Sequence, residues 1–126
     1  MAQARILYVD DDLELTQLVK GYLEQEGYEV LIANDGEEGL GAILTEDPDL
    51  VILDVMMPQL NGWEIAKYMR ERDAFDGVPI LMLTGIGPAL NEMTAPLYGA
   101  NDHLDKPFEL DDLVEKVGAL LALGDE

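Results

Sequence analysis

The chain has 126 residues, 48% of them hydrophobic, a formal net charge of −20 and no cysteine. That length and composition suit one folded domain, and the missing thiols exclude a disulfide frame or a thiolate metal site. So acidic a surface repels nucleic acid and anionic membrane, no apolar run approaches the roughly 20 residues of a bilayer span, and no signal-peptide layout opens the chain; direct nucleic-acid binding and membrane association are not expected, and a cytoplasmic location is.

Ile6–Val9 predicts a first strand, followed at once by Asp10, Asp11 and Asp12. Leu13–Gln25 carries Leu15, Leu18, Val19, Tyr22 and Leu23 at helical spacing. Tyr28–Ala33 predicts a second strand. Glu37–Thr45 predicts a weak helix, because Gly39 and Gly41 each cost about 1 kcal/mol relative to Ala. Leu50–Leu53 predicts a third strand and ends on Asp54. Asn61 is a good cap for a helix over Gly62–Arg72. Ile80–Leu83 predicts a fourth strand, ending on Thr84. A helix is expected between Pro88 and Tyr98, started well by Pro88 but shortened or kinked by Pro96, which costs about 3 kcal/mol in an interior. A short strand near His103–Leu104 leads to Asp105 and Lys106, the only basic residue between Asp73 and Glu115. Leu110–Leu123 is amphipathic, with acidic residues in its first turn, where the helix dipole favours them. Strand followed by helix, repeated through the chain, predicts an α/β fold with an open parallel sheet and right-handed crossovers. One domain over residues 1–126, ordered over about 4–123 and without an output domain, is expected.

Ligands of open parallel sheets bind at the carboxyl ends of the strands. Those ends here present Asp10, Asp11 and Asp12, then Asp54, then Thr84, then Asp105 and Lys106. Crowded carboxylates repel one another, and a hard divalent cation relieves the repulsion. Mg²⁺ prefers oxygen ligands and usually takes one or two carboxylates from a protein. A lysine facing Asp54 would bind one oxygen of an incoming phosphate, and the Thr84 hydroxyl another. In phosphoryl transfer, positioning and charge neutralisation do nearly all the catalysis. Taken singly, each residue has a plainer meaning: a solvated loop, a helix cap, a strand-end hydroxyl, a surface charge. Their joint placement at four strand ends points to a site.

The segments Val9-Asp10-Asp11-Asp12, Leu53-Asp54-Val55-Met56-Met57-Pro58 with Asn61-Gly62, Leu83-Thr84-Gly85 and Asp105-Lys106-Pro107-Phe108 resemble the receiver domain of two-component response regulators. The resemblance covers essentially the whole chain, in family order and spacing. It implies a flavodoxin-like five-stranded sheet of order 2-1-3-4-5 with helices on both faces. It implies that Asp54 takes a phosphoryl group from a phosphohistidine on a sensor histidine kinase or phosphotransfer protein, and that the change switches binding of a downstream protein. Asp11 and Asp54 would coordinate Mg²⁺ (or Mn²⁺) directly and Asp10 through water, with the main-chain carbonyl of Met56 as a further ligand. Lys106 would contact the phosphoryl group, Thr84 would hydrogen-bond to it, and the Lys106–Pro107 bond would be cis. Asp12 fits a position that often holds Glu and is secondary.

Four features depart from the family pattern. His103 stands where an aromatic ring usually takes part in switching, which implies weakened or pH-sensitive switching, or a surface residue that switches nothing. Pro96 makes the fourth helix atypical. Met56 and Ile86 occupy positions that tune phosphoaspartate hydrolysis, and both are apolar, so a long-lived phosphoryl group is expected. Asp105 puts a carboxylate beside Lys106 and is expected to point outward, since strand neighbours face opposite ways. The chain is therefore read as a switch rather than an enzyme, its chemistry limited to phosphoryl uptake and slow hydrolysis. The alternatives are a receiver-like scaffold impaired in phosphorylation, and a haloacid-dehalogenase-type phosphohydrolase. The latter needs a second Asp where Met56 stands.

Overall fold

The computed structural model describes residues 3–85 and 99–124. Five strands form one parallel sheet: β1 (Arg5–Val9), β2 (Glu29–Ala33), β3 (Leu50–Asp54), β4 (Ile80–Thr84) and β5 (Asp102–Asp105), in the order 2-1-3-4-5. The described helices are α1 (Leu13–Gln25), α2 (Gly36–Glu46), α3 (Gly62–Arg70) and α4 (Leu110–Gly124), with a 3₁₀ turn over Asp73–Phe75. This is the flavodoxin-like order expected from the sequence. The strand boundaries shift by a residue or two, and Asp54 and Thr84 prove to be the last residues of their strands. The helix expected between Pro88 and Tyr98, together with Ile86 and Pro96, lies outside the described residues.

Alternation along the strands builds two cores. One row of β1, β3 and β4 (Leu7, Val9, Val51, Leu53, Ile80 and Met82) packs with Ile43 of α2 and Ile65, Ala66 and Met69 of α3. The other row (Ile6, Tyr8, Leu50, Ile52, Leu81 and Leu83) packs with Val19 and Leu23 of α1 and Leu113 and Val117 of α4. Central strands covered on both faces must be apolar on both, which is why β3 and β4 read as unbroken hydrophobic runs.

The first three helices start on side-chain caps. Asp12 accepts from the Leu15 amide at 3.1 Å, Asp35 from Glu38 at 2.7 Å, and Asn61 from Glu64 at 2.9 Å. Glu64 returns the contact to the Asn61 amide, completing a capping box. The helix expected over Glu37–Thr45 is present as α2, extended by one residue at each end to 11 residues despite its glycines. Gly39 explains why: a Cβ there would lie 2.8 Å from Val9 Cγ1, so the missing side chain lets α2 press onto β1. The propensity lost at one glycine is offset by burial of the helix against the sheet.

Candidate functional site

The acidic cluster follows from strand alternation. Asp10 continues the row Ile6–Tyr8, and Asp54 ends the row Leu50–Ile52. Tyr8 is in register with Ile52 and Val9 with Leu53, so the two aspartates leave neighbouring strands side by side. Both are buried, Asp54 to 3% exposure, whereas Asp11 turns out toward water. One carboxylate oxygen from each of Asp10, Asp11 and Asp54 lies within 4.8 Å of the others.

Lys106 reaches this group from just beyond β5. Its Nζ donates to Asp10 Oδ2 at 2.9 Å and lies 3.4 Å from Asp54 Oδ1. Its amide N–H donates a hydrogen bond to the Thr84 carbonyl at 2.9 Å, which fixes its main chain, and Lys106–Pro107 is cis. Asp10 is held on both oxygens. Oδ1 accepts from the Asp12 amide at 3.0 Å, and Oδ2 accepts from the Tyr8 hydroxyl at 2.9 Å as well as from Lys106.

The electrostatics are unbalanced. Burial, and then the neighbouring charge of Asp10, push the Asp54 carboxyl up to about 7, although Lys106 pulls the other way. Burial lowers the Lys106 ammonium, but its bonds to Asp10 and Asp54 more than offset this and its pKa ends raised. Burial and Asp10 push the Tyr8 hydroxyl well above its ordinary value, so it remains a donor.

The structure thus brings together Asp10, Asp11, Asp54 and Lys106, as the sequence led us to expect. Thr84 is buried one residue beyond Leu83, the register partner of Asp54. The Met56 amide lies 3.4 Å from Asp54 Oδ1 while its side chain is 66% exposed. Asp12 caps α1. His103 lines a separate cleft between β5 and α4, with Phe108, Asp112 and Lys116. Tyr8 was not read from the sequence as a site residue, although its position two before Asp10 on a strand placed it on the same face.

Comparisons with known proteins agree with this geometry. A family model described as the response regulator receiver domain matches residues 6–118. The transcriptional regulatory protein CpxR of Klebsiella pneumoniae is 44% identical over 117 residues, which are 93% of this chain and 49% of that protein. The alkaline phosphatase synthesis transcriptional regulatory protein PhoP of Bacillus subtilis is 40% identical, over 93% of this chain and 48% of its own length. The chain spans about half the length of the curated relatives it matches. The high-resolution structure of the chemotaxis response regulator CheY4 of Vibrio cholerae superposes with a TM-score of 0.88 at 34% identity, covering 94% of this chain and 99% of that one.

Proposed function

The chain belongs to the response regulator receiver domain family, and from that premise we propose that Asp54 accepts a phosphoryl group from a phosphohistidine of a sensor histidine kinase or phosphotransfer protein. The bond from phosphorus to the imidazole nitrogen breaks as one to an Asp54 carboxylate oxygen forms. The observation that supports this best is the contact of Lys106 with both Asp10 and Asp54, inside a cluster of three carboxylates.

Each residue has a physical role in that reading. Asp54 attacks as the anion, so its raised pKa must be brought down before transfer. Lys106, already 3.4 Å from Asp54 Oδ1, needs only a small movement to pair with a phosphoryl oxygen. Thr84 stands at the neighbouring strand end to donate its hydroxyl to another oxygen. The all-oxygen donor set fits Mg²⁺ or Mn²⁺, held by Asp10, Asp11, Asp54 and the main-chain carbonyl of Met56. When bound, such an ion supplies charge neutralisation for the transferring group. The exposed Met56 side chain offers no polar atom to orient an attacking water, which supports a long-lived phosphoryl group and a switch rather than an enzyme. Among the described residues no helix is long and apolar enough to cross a membrane, and a cytoplasmic site of action fits a kinase donor. Because the curated relatives are named as transcriptional regulators, we extend to this chain an output in transcription, through a partner or a further segment.

The test is labelling by acetyl phosphate with and without Mg²⁺, in the wild type and in Asp54→Asn. Mg²⁺-dependent incorporation lost in the variant is the expected result; equal labelling of both proteins would sink the assignment.

A further inference from the structure

A buried hydroxyl on β1 stands out. Tyr8 is fully buried, its ring packed in the core between the sheet, α1 and α4. An aliphatic side chain would fill such a row as well, as Ile6 and Ile52 do. The hydroxyl has a use only at its tip, where it donates to Asp10 Oδ2 at 2.9 Å. The same oxygen accepts from Lys106 Nζ, also at 2.9 Å. One carboxylate oxygen therefore takes two donors, of very different mobility. Lys106 ends a flexible stem and is 25% exposed, whereas Tyr8 is locked in the core.

We propose that Tyr8 is a positioning residue whose hydroxyl holds Asp10 in place while Lys106 moves from Asp10 to the phosphoryl group arriving on Asp54. This rests on the reading of Asp54 as the acceptor. In the resting state Asp10 Oδ2 has both donors, so the hydroxyl is the second of two. Once Lys106 turns to a phosphoryl oxygen, Asp10 Oδ2 is a buried anionic oxygen for which Tyr8 is, among the described residues, the remaining protein donor. A buried charged acceptor stripped of its donors carries a heavy desolvation penalty. The Tyr8 bond is thus worth more in the transition state and product than in the resting protein, the condition under which a contact speeds a step instead of only stabilising the fold. The other oxygen of Asp10 stays with the Asp12 amide throughout, so the carboxylate neither rotates nor swings into the phosphoryl group.

The test is Tyr8→Phe, which keeps the ring and removes the one oxygen. Label from acetyl phosphate is followed as a function of Mg²⁺ concentration; acetate leaves as the bond from phosphorus to Asp54 forms. Mg²⁺ affinity of the resting protein is measured in parallel by calorimetry, and the folded state by thermal melting. The maximal rate at saturating Mg²⁺ is expected to fall about tenfold, the effect of one charge-assisted hydrogen bond. Mg²⁺ affinity is expected to stay within about twofold, because Lys106 and the Asp12 amide still hold Asp10 in the resting state. A maximal rate equal to wild type overturns the role of Tyr8 alone. So does a variant in which rate, Mg²⁺ affinity and melting temperature all fall together, since that marks a structural part only. A wild-type chain without label, or an Asp54→Asn chain with it, removes the underlying reading and this proposal with it.

Discussion

At the amino ends of the strands, two arginines are met by well-placed acceptors; at the carboxyl ends, three carboxylates crowd around one lysine. Arg70 donates to the Gly99, Phe75 and Val78 carbonyls and to Asn101 Oδ1, at 2.8 to 2.9 Å. Asn101 in turn accepts from the Ile80 amide at 2.8 Å, so one guanidinium ties α3, the 3₁₀ turn and the starts of β4 and β5 together. Arg5 pairs with Glu29 at 2.9 Å and donates to the Glu46 carbonyl at 2.6 Å. The opposite rim holds Asp54 at a raised pKa. The contrast shows a division of labour along the strand axis: one end secures the sheet with paired guanidinium groups, and the other gathers more buried negative charge than its one lysine balances.

Substitutions at each rim sharpen that contrast. Arg70→Ala strips donors from several backbone carbonyls at once and is expected to cost about 3 kcal/mol in urea unfolding, leaving Mg²⁺ affinity unchanged. If Mg²⁺ affinity fell in step, the two ends would not be separable. Asp54→Asn has the opposite sign. A carboxyl whose folded pKa is raised to about 7 adds full stability below its unfolded value and loses it as the pH climbs through 7. At pH 8 without metal the variant should be about 2 kcal/mol more stable than wild type, the gain shrinking as the pH falls and vanishing near 4. A constant gain at all pH values would locate the effect elsewhere. Lys106→Ala should cost about 1 kcal/mol at pH 8, with Mg²⁺ restoring most of it, as thermal melting with and without the ion would show. Lys20→Ala removes an exposed pair with Glu24 at 2.8 Å, far from both rims, and should change stability by less than about 0.5 kcal/mol.

Much of the site was legible because a parallel strand announces its own end. The apolar runs stop at Asp10, Asp54 and Thr84, and the topology does the rest. What escaped depends on partners distant in the chain. Arg70 meets Gly99 and Asn101 across 29 and 31 residues, a pairing that no local pattern contains. Gly39 read as a weakness in α2 because propensity is local, while its use is a contact with Val9 on another element. Tyr8 went unmarked inside the Ile6–Val9 strand, since its ring obeys the apolar pattern and only its oxygen departs from it.

Gly62 has one more consequence. A Cβ at that position would lie 2.6 Å from the Asp54 carbonyl oxygen, so the first turn of α3 sits directly on the end of β3. The Gly62 amide also bonds to the Val55 carbonyl at 3.2 Å. The two backbones are thus in direct contact, and the next residue is Trp63, the single tryptophan of the chain. The half-buried Trp63 lines one cleft with Val55, Met56 and Met57, so a displacement of the chain just after Asp54 would alter the surroundings of a chromophore. The protein carries a built-in optical gauge beside its acidic rim, readable without any attached dye.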